Sequence, residues 1–444
     1  MDKIIKIIKK NVTSLGITVF SVLLILIIDF FGIFQSLELK VFDFAFTLRG
    51  PISGWMAQNN IHEKESDIVI VDLDDESYRL IPWTYPYPRG DMWARVLENL
   101  SNAGAKVIVF DIEFIAKDQK SEYLKNVGEI RGFTPPTHGD IVFSNAIRNA
   151  KKRGTNVILA SEIATEPTRV PPQYIAIPNP KIMDSNPATG LTNVIEDKDG
   201  FMRRYFVFLP LAHEKDTWYP TIGMKAVQSY LGLSNDIVLI ANAKEQNIEY
   251  GPLKIPTYGK TLTFLINYAG PPSGKMVPGE DIAWKTFLRY PLSNILDVTD
   301  ITLSDPLEDT DWMDSFIGKV PEWITMISDP EEKSQTMSLL GISAFDVTKT
   351  PFYNKIVIIG ASTEVFKDTK KTPFYNYSGA RQFTPGMETH ANAIQTILDN
   401  NYISIYGGSL DLTTDSFWYH FLLIGGLSFI AMILFSFQNI YVTG

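Results

Sequence analysis

Cysteine is absent from all 444 residues of the sequence. A chain without cysteine has no disulfide framework, no zinc site with thiolate ligands and no cysteine nucleophile. Histidine is scarce, and its five residues are scattered along the chain. The sequence also carries no G-x-S-x-G, H-E-x-x-H, Walker or protein-kinase signature. We therefore expect no enzyme activity within this chain.

Positive charge is in deficit: the chain has 40 lysines and arginines but 50 aspartates and glutamates, which gives a net charge of −10. Proteins that bind nucleic acid usually carry a concentrated basic stripe, so nucleic acid is not an expected partner. Hydrophobic residues make up 45% and charged residues 20% of the chain. This balance excludes a disordered chain and supports packed cores. The length suits two or three domains, or one large domain with insertions.

Two long apolar runs explain a mean hydropathy of +0.01, and they lie at residues 12–34 and 417–437. Each run is long enough to cross a hydrocarbon core of about 30 Å as a helix. Four lysines lie within residues 3–10, and no comparable basic cluster follows the first run. A cleavable signal peptide is the alternative, but its apolar segment is shorter and ends at an A-x-A site, which is missing here. We expect two transmembrane helices.

The positive-inside rule sets the orientation of this topology. It places residues 1–11 in the cytoplasm and residues 35–415 outside the membrane. Residues 438–444 then begin a cytoplasmic or loop segment. The first apolar run continues as an apolar-rich helical pattern over residues 37–48. A stiff helix of this kind connects a membrane span to the domain that follows it.

The middle of the chain reads as an α/β domain. Short β-branched runs without polar alternation are typical of parallel strands that are covered on both faces. Helical patterns at 91–103 and 140–153 lie between them, and each is followed by a glycine. The repetition predicts a mostly parallel, doubly wound sheet. The strand runs are 67–73, 106–112, 156–160 and 355–360.

Two segments depart from this pattern. In residues 171–268, turn signals separate short apolar runs, which predicts an antiparallel β addition with one helix near 220–231. Residues 297–346 carry 12 acidic and two basic side chains. Because Trp312, Phe316 and Trp323 interrupt that charge, we interpret this segment as a folded acidic insertion.

Seven segments in order carry a family resemblance. They are Phe42-Asp43 with Leu48-Arg49; DIVIVDLDDES at 67–77; the Pro-Trp and Pro-Tyr-Pro-Arg element at 82–89; VLENLSNAGAKVIVFDIEF at 96–114; GLTNVIEDKDGFMRR at 190–204; INYAGP at 266–271; and KIVIIGAST, TPF and PGMETHANAI within 355–394. In this set the chain resembles the type-two CHASE domain, a cyclase- and histidine-kinase-associated sensory extracellular module of bacterial membrane receptors.

The resemblance implies a sensor in the bacterial inner membrane, with the main domain extracytoplasmic or periplasmic. Members of the family usually continue into further spans and a cytoplasmic cyclase or kinase. No such output domain lies within these residues, so we expect either a fragment of a longer receptor or a member that acts through a partner. A structural module that uses the same domain for assembly or docking is the alternative function.

Carboxylates cluster at the ends of the first two predicted strands. Asp72 and Asp74, with Asp75 beside them, end the first, and Asp111 and Glu113 end the second. A period of two places alternate residues of a strand on one face. Ligands of open α/β sheets bind outside the carboxyl ends of the strands. We therefore expect these side chains to lie close together.

Three occupants of that cleft remain open. Asp72, Asp74 and Asp111 are candidate ligands for Ca²⁺ or Mg²⁺, which prefer oxygen ligands. A cationic ligand is the second alternative. The third is an internal network, with carboxylates capping helices and pairing with Arg89. The sequence identifies no other cofactor.

The segment after the fourth strand run completes the candidate ligand-binding cleft, with Ser362, Asp368, Thr372 and His390. His390 lies in a helical pattern, where a histidine is more often a structural hydrogen-bonding group than a metal ligand. A separate run, Asp197 to Gly200, imitates the start of a calcium loop. It lacks the glutamate at the twelfth position and predicts a β-turn instead.

Association with a second copy is also expected. Gly425 and Gly426 allow a neighbouring helix to approach closely. Asp29, near the outer end of the first apolar run, is costly to leave against lipid. We therefore predict a homodimer or a higher homo-oligomer through the membrane helices. The tryptophans of the acidic insertion are further candidate contacts, unless they form the insertion's own core.

Overall fold

The computed structural model describes residues 16, 19–25, 35–52, 66–214, 217–242, 245–258, 262–320, 322–340, 345–403, 418 and 422–430. Asp29 and most of the two apolar runs lie outside these ranges. In the described part of the chain, no helix combines the length and the apolar character needed to cross a bilayer. The chain divides into two units. One comprises Met1–Leu48, Val238–Leu265 and Tyr402–Gly444, and the other comprises Arg49–Ile237 and Ile266–Asn401.

The strands are β1 (Ile68–Leu73), β2 (Val107–Phe110), β3 (Asn156–Thr165), β4 (Gln173–Ala176), β5 (Ala188–Leu191), β6 (Arg204–Phe206), β7 (Phe208–Pro210), β8 (Trp218–Pro220), β9 (Ile240–Asn242), β10 (Asn247–Tyr250), β11 (Leu253–Pro256), β12 (Thr263–Leu265), β13 (Leu288–Pro291), β14 (Ile356–Ala361), β15 (Thr369–Lys370) and β16 (Thr384–Pro385).

The helices are α1 (Gln35–Arg49), α2 (Asp75–Leu80), α3 (Ala94–Asn102), α4 (Gln119–Arg131), α5 (Gly139–Lys152), α6 (Pro180–Met183), α7 (Ile222–Leu231), α8 (Leu292–Leu296), α9 (Asp314–Ile317), α10 (Glu322–Thr325), α11 (Pro330–Leu339) and α12 (Gly386–Leu398). A π-helical turn at Arg89–Trp93 leads directly into α3, and 3₁₀ turns occur at Val347–Lys349 and Tyr377–Gly379.

The larger unit is built on a mostly parallel sheet with the order β13-β1-β14-β2-β3. The four predicted strands form its centre, and their pairings with one another are all parallel. The residues of β1 and β2 are buried throughout, as expected for strands that are covered on both faces. β13 adds a parallel edge strand that the sequence pattern did not indicate.

Helices cover both faces of the sheet. Alternate strand residues such as Val71, Phe110 and Ile359 form one core with α3, α5 and α8. The opposite face packs against α7 and α12. The predicted doubly wound arrangement is therefore present. The two faces differ chemically at their carboxyl ends, because Asp72 and Asp111 continue the alternation on the α7 and α12 face.

Gly360 allows α12 to approach this second face. It is the fifth residue of β14, in register with Asp72 of β1. A Cβ atom at Gly360 would lie 2.7 Å from the Cβ atom of Met387 in α12. Such a contact is far inside van der Waals distance, so a residue without a side chain is required where the helix crosses the sheet.

The predicted antiparallel addition is correct only in part. β4 is antiparallel to β3, and β7 pairs with β8 as an antiparallel hairpin. In the smaller unit, β9, β10 and β11 form an antiparallel meander. β5 lies in the same stretch of sequence but is parallel to β3, because the chain returns through α6 before it pairs. The helix expected near 220–231 is α7.

The acidic insertion is folded, and part of it belongs to the main core. Met313 is fully buried. The Trp312 ring lies 5.2 Å from the Tyr290 ring, and the Phe316 ring packs edge-on against Phe352. These two aromatics are partly buried and pack against the main core, which takes up part of the surface that they could offer to a partner. Trp323 differs, since 48% of it is exposed.

Candidate functional site

The carboxyl edge of the sheet separates into two groups of polar side chains. The strand order explains the separation, because β14 lies between β1 and β2. Neighbouring strands are about 4.8 Å apart, so Asp72 and Asp111 begin roughly 10 Å from each other. The prediction that they lie within a few ångströms is wrong, although the end of β14 does lie beside both.

The first group is organised around Asp72, which is fully buried. Its Oδ2 accepts hydrogen bonds from Ser362 Oγ, at 2.6 Å, and from Arg289 Nη2. Burial raises the pKa of Asp72, and the charge of Arg289 opposes that rise. Arg289 comes from β13, the strand that the sequence pattern missed. This group is therefore an internal ion pair with a shared hydroxyl.

Asp74 and Asp75 complete the same network. Asp74 caps α2, where its Oδ1 accepts from the Ser77 amide at 2.8 Å. Asp75 accepts from the Thr363 hydroxyl at 2.7 Å and from the Glu364 amide at 3.3 Å. Asp74 thus caps a helix and Asp75 joins two segments of the chain, as expected if the carboxylates form an internal network.

The prediction that Arg89 pairs with the carboxylates of this network is wrong. Arg89 donates from Nη1 to Asp140 Oδ1 at 2.7 Å, and both side chains are buried. Asp140 lies in α5, which covers the other face of the sheet. The partner of Asp72 is Arg289, which has no neighbouring motif in the sequence to mark it. Thr372 is also misplaced, because it is fully buried and bonded to Thr384 Oγ1 at 3.1 Å.

The structure does not assemble the proposed metal ligands Asp72, Asp74 and Asp111. Asp72 is paired with arginine, Asp74 is turned toward α2, and Asp111 belongs to the second group. Among the described residues, one set of three acidic side chains has ligand atoms within 4.8 Å of one another. That set is Asp297, Asp309 and Asp311 in the acidic insertion.

The second group surrounds a cavity of about 250 Å³ at the carboxyl ends of β2 and β3. The predicted residues Asp111, Glu113, Asp368 and His390 all line it. Lys370, which was not predicted as a site residue, also lines the cavity. The remaining lining residues are Ala160, Thr192, Val194, Met202 and Gly386.

His390 forms the inner wall of the cavity and is supplied by α12. Its Nδ1 lies 2.6 Å from the Tyr205 hydroxyl, which also accepts from the Gly223 amide at 3.1 Å. The hydroxyl oxygen can accept a second hydrogen bond, so this contact alone fixes no tautomer. We assign the ring proton to Nε2, because that nitrogen faces the Asp111 carboxylate. Burial lowers the pKa of His390 to about 4, so the ring is neutral at pH 7.

Asp111 faces that neutral ring. Its Oδ1 lies 3.7 Å from His390 Nε2, beyond hydrogen-bonding distance. No hydrogen bond to the Asp111 carboxylate occurs within the described ranges. Burial raises the pKa of Asp111 to about 6, against the opposing charge of Lys370. The carboxylate and the Nε2 proton therefore both have unused hydrogen-bonding capacity at the cavity.

Comparison with known protein families identifies the family of the chain. The sequence model of the CHASE2 domain matches residues 19–433. The chain belongs to the CHASE2 domain family. Members of this family are sensory domains of signal-transduction receptors and are not themselves catalytic. Neither a curated protein nor a solved structure matches the chain.

Two features of this CHASE2 domain were not recognised as site residues from the sequence. Glu388, also on α12, is 1% exposed and accepts from both the amide and the hydroxyl of Ser273 at 2.9 Å. Burial raises the pKa of Glu388 to about 7. Arg289 donates to the Ser273 carbonyl and so connects Glu388 with Asp72. The only sequence signal for this network is the density of polar residues in a helix that is buried along most of its length.

The Asp197–Gly200 segment of the CHASE2 domain is a turn, as predicted. The Gly200 amide donates to the Asp197 carbonyl at 2.8 Å. Both carboxylates are taken by Arg203, whose Nη1 lies 2.8 Å from Asp197 and whose Nη2 lies 2.7 Å from Asp199. The predicted oligomer contacts Gly425 and Gly426 are described, and a Cβ atom on either would meet nothing within 4 Å.

Proposed function

We propose that this CHASE2 domain is the extracytoplasmic sensor of a bacterial inner-membrane receptor, and that its stimulus acts at the cavity lined by Asp111 and His390. The observation that carries the proposal is the unused hydrogen-bonding capacity of these two groups. The carboxylate of Asp72 is less accessible to a ligand, because it is fully buried and its Oδ2 is bonded to Arg289 and Ser362, while its Oδ1 has no hydrogen-bond partner in the described part of the chain. The Asp111 carboxylate and the His390 imidazole instead line a cavity and face each other without bonding, so both are open to a ligand.

The coupling step follows from the position of His390 on α12. Gly386 and His390 of that helix line the cavity. α12 also precedes the second apolar run in the sequence, at residues 417–437. A ligand that draws Asp111 and His390 together would shift α12 relative to the sheet. We propose that this shift passes through the membrane to a cytoplasmic cyclase or kinase.

The test is an Asp111→Asn variant of the full-length gene product in its bacterial host. Cyclic-nucleotide level and autophosphorylation are both measured, since either class of output is expected. Asp91→Asn is the matched control, because Asp91 is half exposed in a surface pair with Lys120. We expect a changed output for Asp111→Asn alone. If output is unchanged in both variants, sensing at the cavity is contradicted. If both variants also retain every protein that co-purifies with the wild type, docking at the cavity is contradicted as well.

Membrane topology gives a second prediction, and the absence of cysteine makes it direct to measure. Ser334, exposed on α11 of the acidic insertion, is replaced by cysteine. A membrane-impermeant maleimide is expected to label Ser334→Cys in intact spheroplasts. Lys3→Cys, in the predicted cytoplasmic segment, should be labelled only after permeabilisation. Labelling in the reverse order would contradict the proposed orientation.

Association through the membrane helices gives a third prediction. The mass of the detergent-purified protein is expected to be that of a dimer or a higher homo-oligomer. Gly425→Leu places a branched side chain where two helices would meet, and should reduce the mass to that of a monomer. Trp323→Ala tests the exposed aromatic of the insertion separately. A wild-type monomer would show the prediction to be wrong.

A further inference from the structure

We propose that the cavity of this CHASE2 domain binds a small aliphatic amine, with its ammonium group held by Asp111 and Glu113. The inference rests on the proposed sensing role of the cavity and names the chemical class of its ligand. Four observations support it: the charge of the lining, the state of His390, the spacing of the carboxylates and the apolar part of the wall.

The charge of the lining is negative. Three carboxylates and one lysine face the cavity. The charge of Lys370 is already engaged, since its Nζ lies 3.3 Å from Glu196 and 3.8 Å from Asp368. Burial raises the pKa of Glu113, and the neighbouring Glu162 adds to the rise. The cavity therefore favours a positively charged occupant.

His390 adds no positive charge. Its side chain is 5% exposed, and its Nδ1 is occupied by Tyr205. The Nε2 proton has no acceptor within hydrogen-bonding distance in the described part of the chain, although it lines the cavity. A neutral, buried donor beside an unsatisfied carboxylate offers both partners that a polar ligand needs. The ammonium group would bind Asp111, and a second polar atom of the ligand would accept from Nε2.

The spacing of the carboxylates disfavours a metal ion. Ca²⁺ and Mg²⁺ require six or more oxygens, at about 2.0–2.6 Å from the ion. No three cavity carboxylates among the described residues bring ligand atoms within 4.8 Å of one another. A cavity of about 250 Å³ is also much larger than a single ion. A molecule of several atoms fits this spacing better.

The apolar part of the wall indicates an aliphatic body. Ala160, Val194 and Met202 line the cavity together with the acidic groups. Burying the methylene groups of a ligand against such side chains is favourable, because it removes apolar surface from water. The cavity thus combines anionic groups for an ammonium head with apolar surface for a short carbon chain.

The experiment is calorimetric titration of the detergent-purified full chain with 4-aminobutan-1-ol, and with 1,4-butanediol as the uncharged control. We expect saturable binding of the amino alcohol at pH 7.5 and none of the diol. Asp111→Asn and Glu113→Gln should each weaken binding at least tenfold, whereas Asp91→Asn should leave it unchanged. Because Glu113 is exposed, its variant tests the site even where Asp111→Asn fails to fold.

The contrary outcomes are distinct. Absence of saturable binding of the amino alcohol, or equal binding by wild type and both variants, would overturn the inference. Saturable binding of CaCl₂ that Asp111→Asn abolishes would replace the amine with a metal ion. Binding of the amino alcohol without any change in receptor output would keep the amine site and overturn the proposed sensing role. Control of output by Asp111 without binding of the amino alcohol would overturn the amine site and keep the sensing role.

Discussion

Arg203→Met is expected to destabilise the larger unit by about 3 kcal/mol and to lower its melting temperature by roughly 4–5 °C. Arg203 is fully buried, and its guanidinium binds Asp197 and Asp199. Removing one partner of a buried ion pair leaves the other charge without compensation in a medium that solvates it poorly. We place the cost at the low end of the usual range because Arg204 also binds Asp197, at 2.5 Å.

Arg204→Met is the matched control, since it removes a guanidinium from the same carboxylate at a more exposed position. The side chain of Arg204 is 18% exposed, whereas that of Arg203 is 0% exposed. Solvent compensates exposed groups, so the control should lose less stability. Tryptophan fluorescence during thermal unfolding of the purified chain measures both variants. Equal losses would show that burial of Arg203 does not decide the effect.

The central sheet could be predicted because burial on both faces of a strand produces a simple sequence pattern. Strands covered on both faces need apolar residues at every position, and four such runs became β1, β2, β3 and β14. β13 left no such trace, because Arg289 and Tyr290 sit in a short edge strand whose residues are partly exposed. β5 was missed as a parallel strand because its direction depends on the return of the chain through α6 and not on its own residues.

Strand order explains why the candidate site was only half right. Each carboxylate pair was correctly placed at a carboxyl end, but nothing local indicates that β14 lies between β1 and β2. Two sites therefore exist where one was expected. Asp111, Glu113, Asp368 and His390 do share a cavity. Asp72 is separate, and its arginine is 217 residues away in the chain.

The ion pairs show the same limit. From the sequence, Arg89 is expected to pair with the carboxylates of the cleft. Its backbone instead enters the π-helical turn that leads to α3, which directs the side chain to Asp140 on the opposite face. A π-helical turn depends on tertiary packing and has no pattern that sequence periodicity can detect. Long-range pairing of this kind is settled only when the fold is known.

Glu388→Gln is expected to flatten the pH dependence of stability between about pH 4.5 and pH 7. Burial raises the pKa of Glu388 from 4.5 to about 7, even though the Ser273 amide and hydroxyl and the Arg289 charge oppose the rise. The folded state therefore favours the protonated acid. Its stabilising contribution is fully present below pH 4.5 and is lost as the pH rises through 7, by about 3 kcal/mol in total.

A glutamine at this position cannot ionise, so the variant should lose none of that contribution. Its Oε1 retains an acceptor for Ser273, and the titrating groups of the cavity remain in both proteins. Asp111, with its raised pKa, and His390, with its lowered pKa, change stability with pH in opposite directions. Both groups are present in wild type and in the variant, so their contributions do not affect the difference between the two proteins. The difference between the melting temperatures of Glu388→Gln and wild type should therefore increase from pH 4.5 to pH 7.5. Glu129→Gln, on the exposed face of α4, should track wild type at every pH. Parallel profiles for Glu388→Gln and wild type would mean that Glu388 is already ionised in the folded protein, and that Arg289 and Ser273 outweigh its burial.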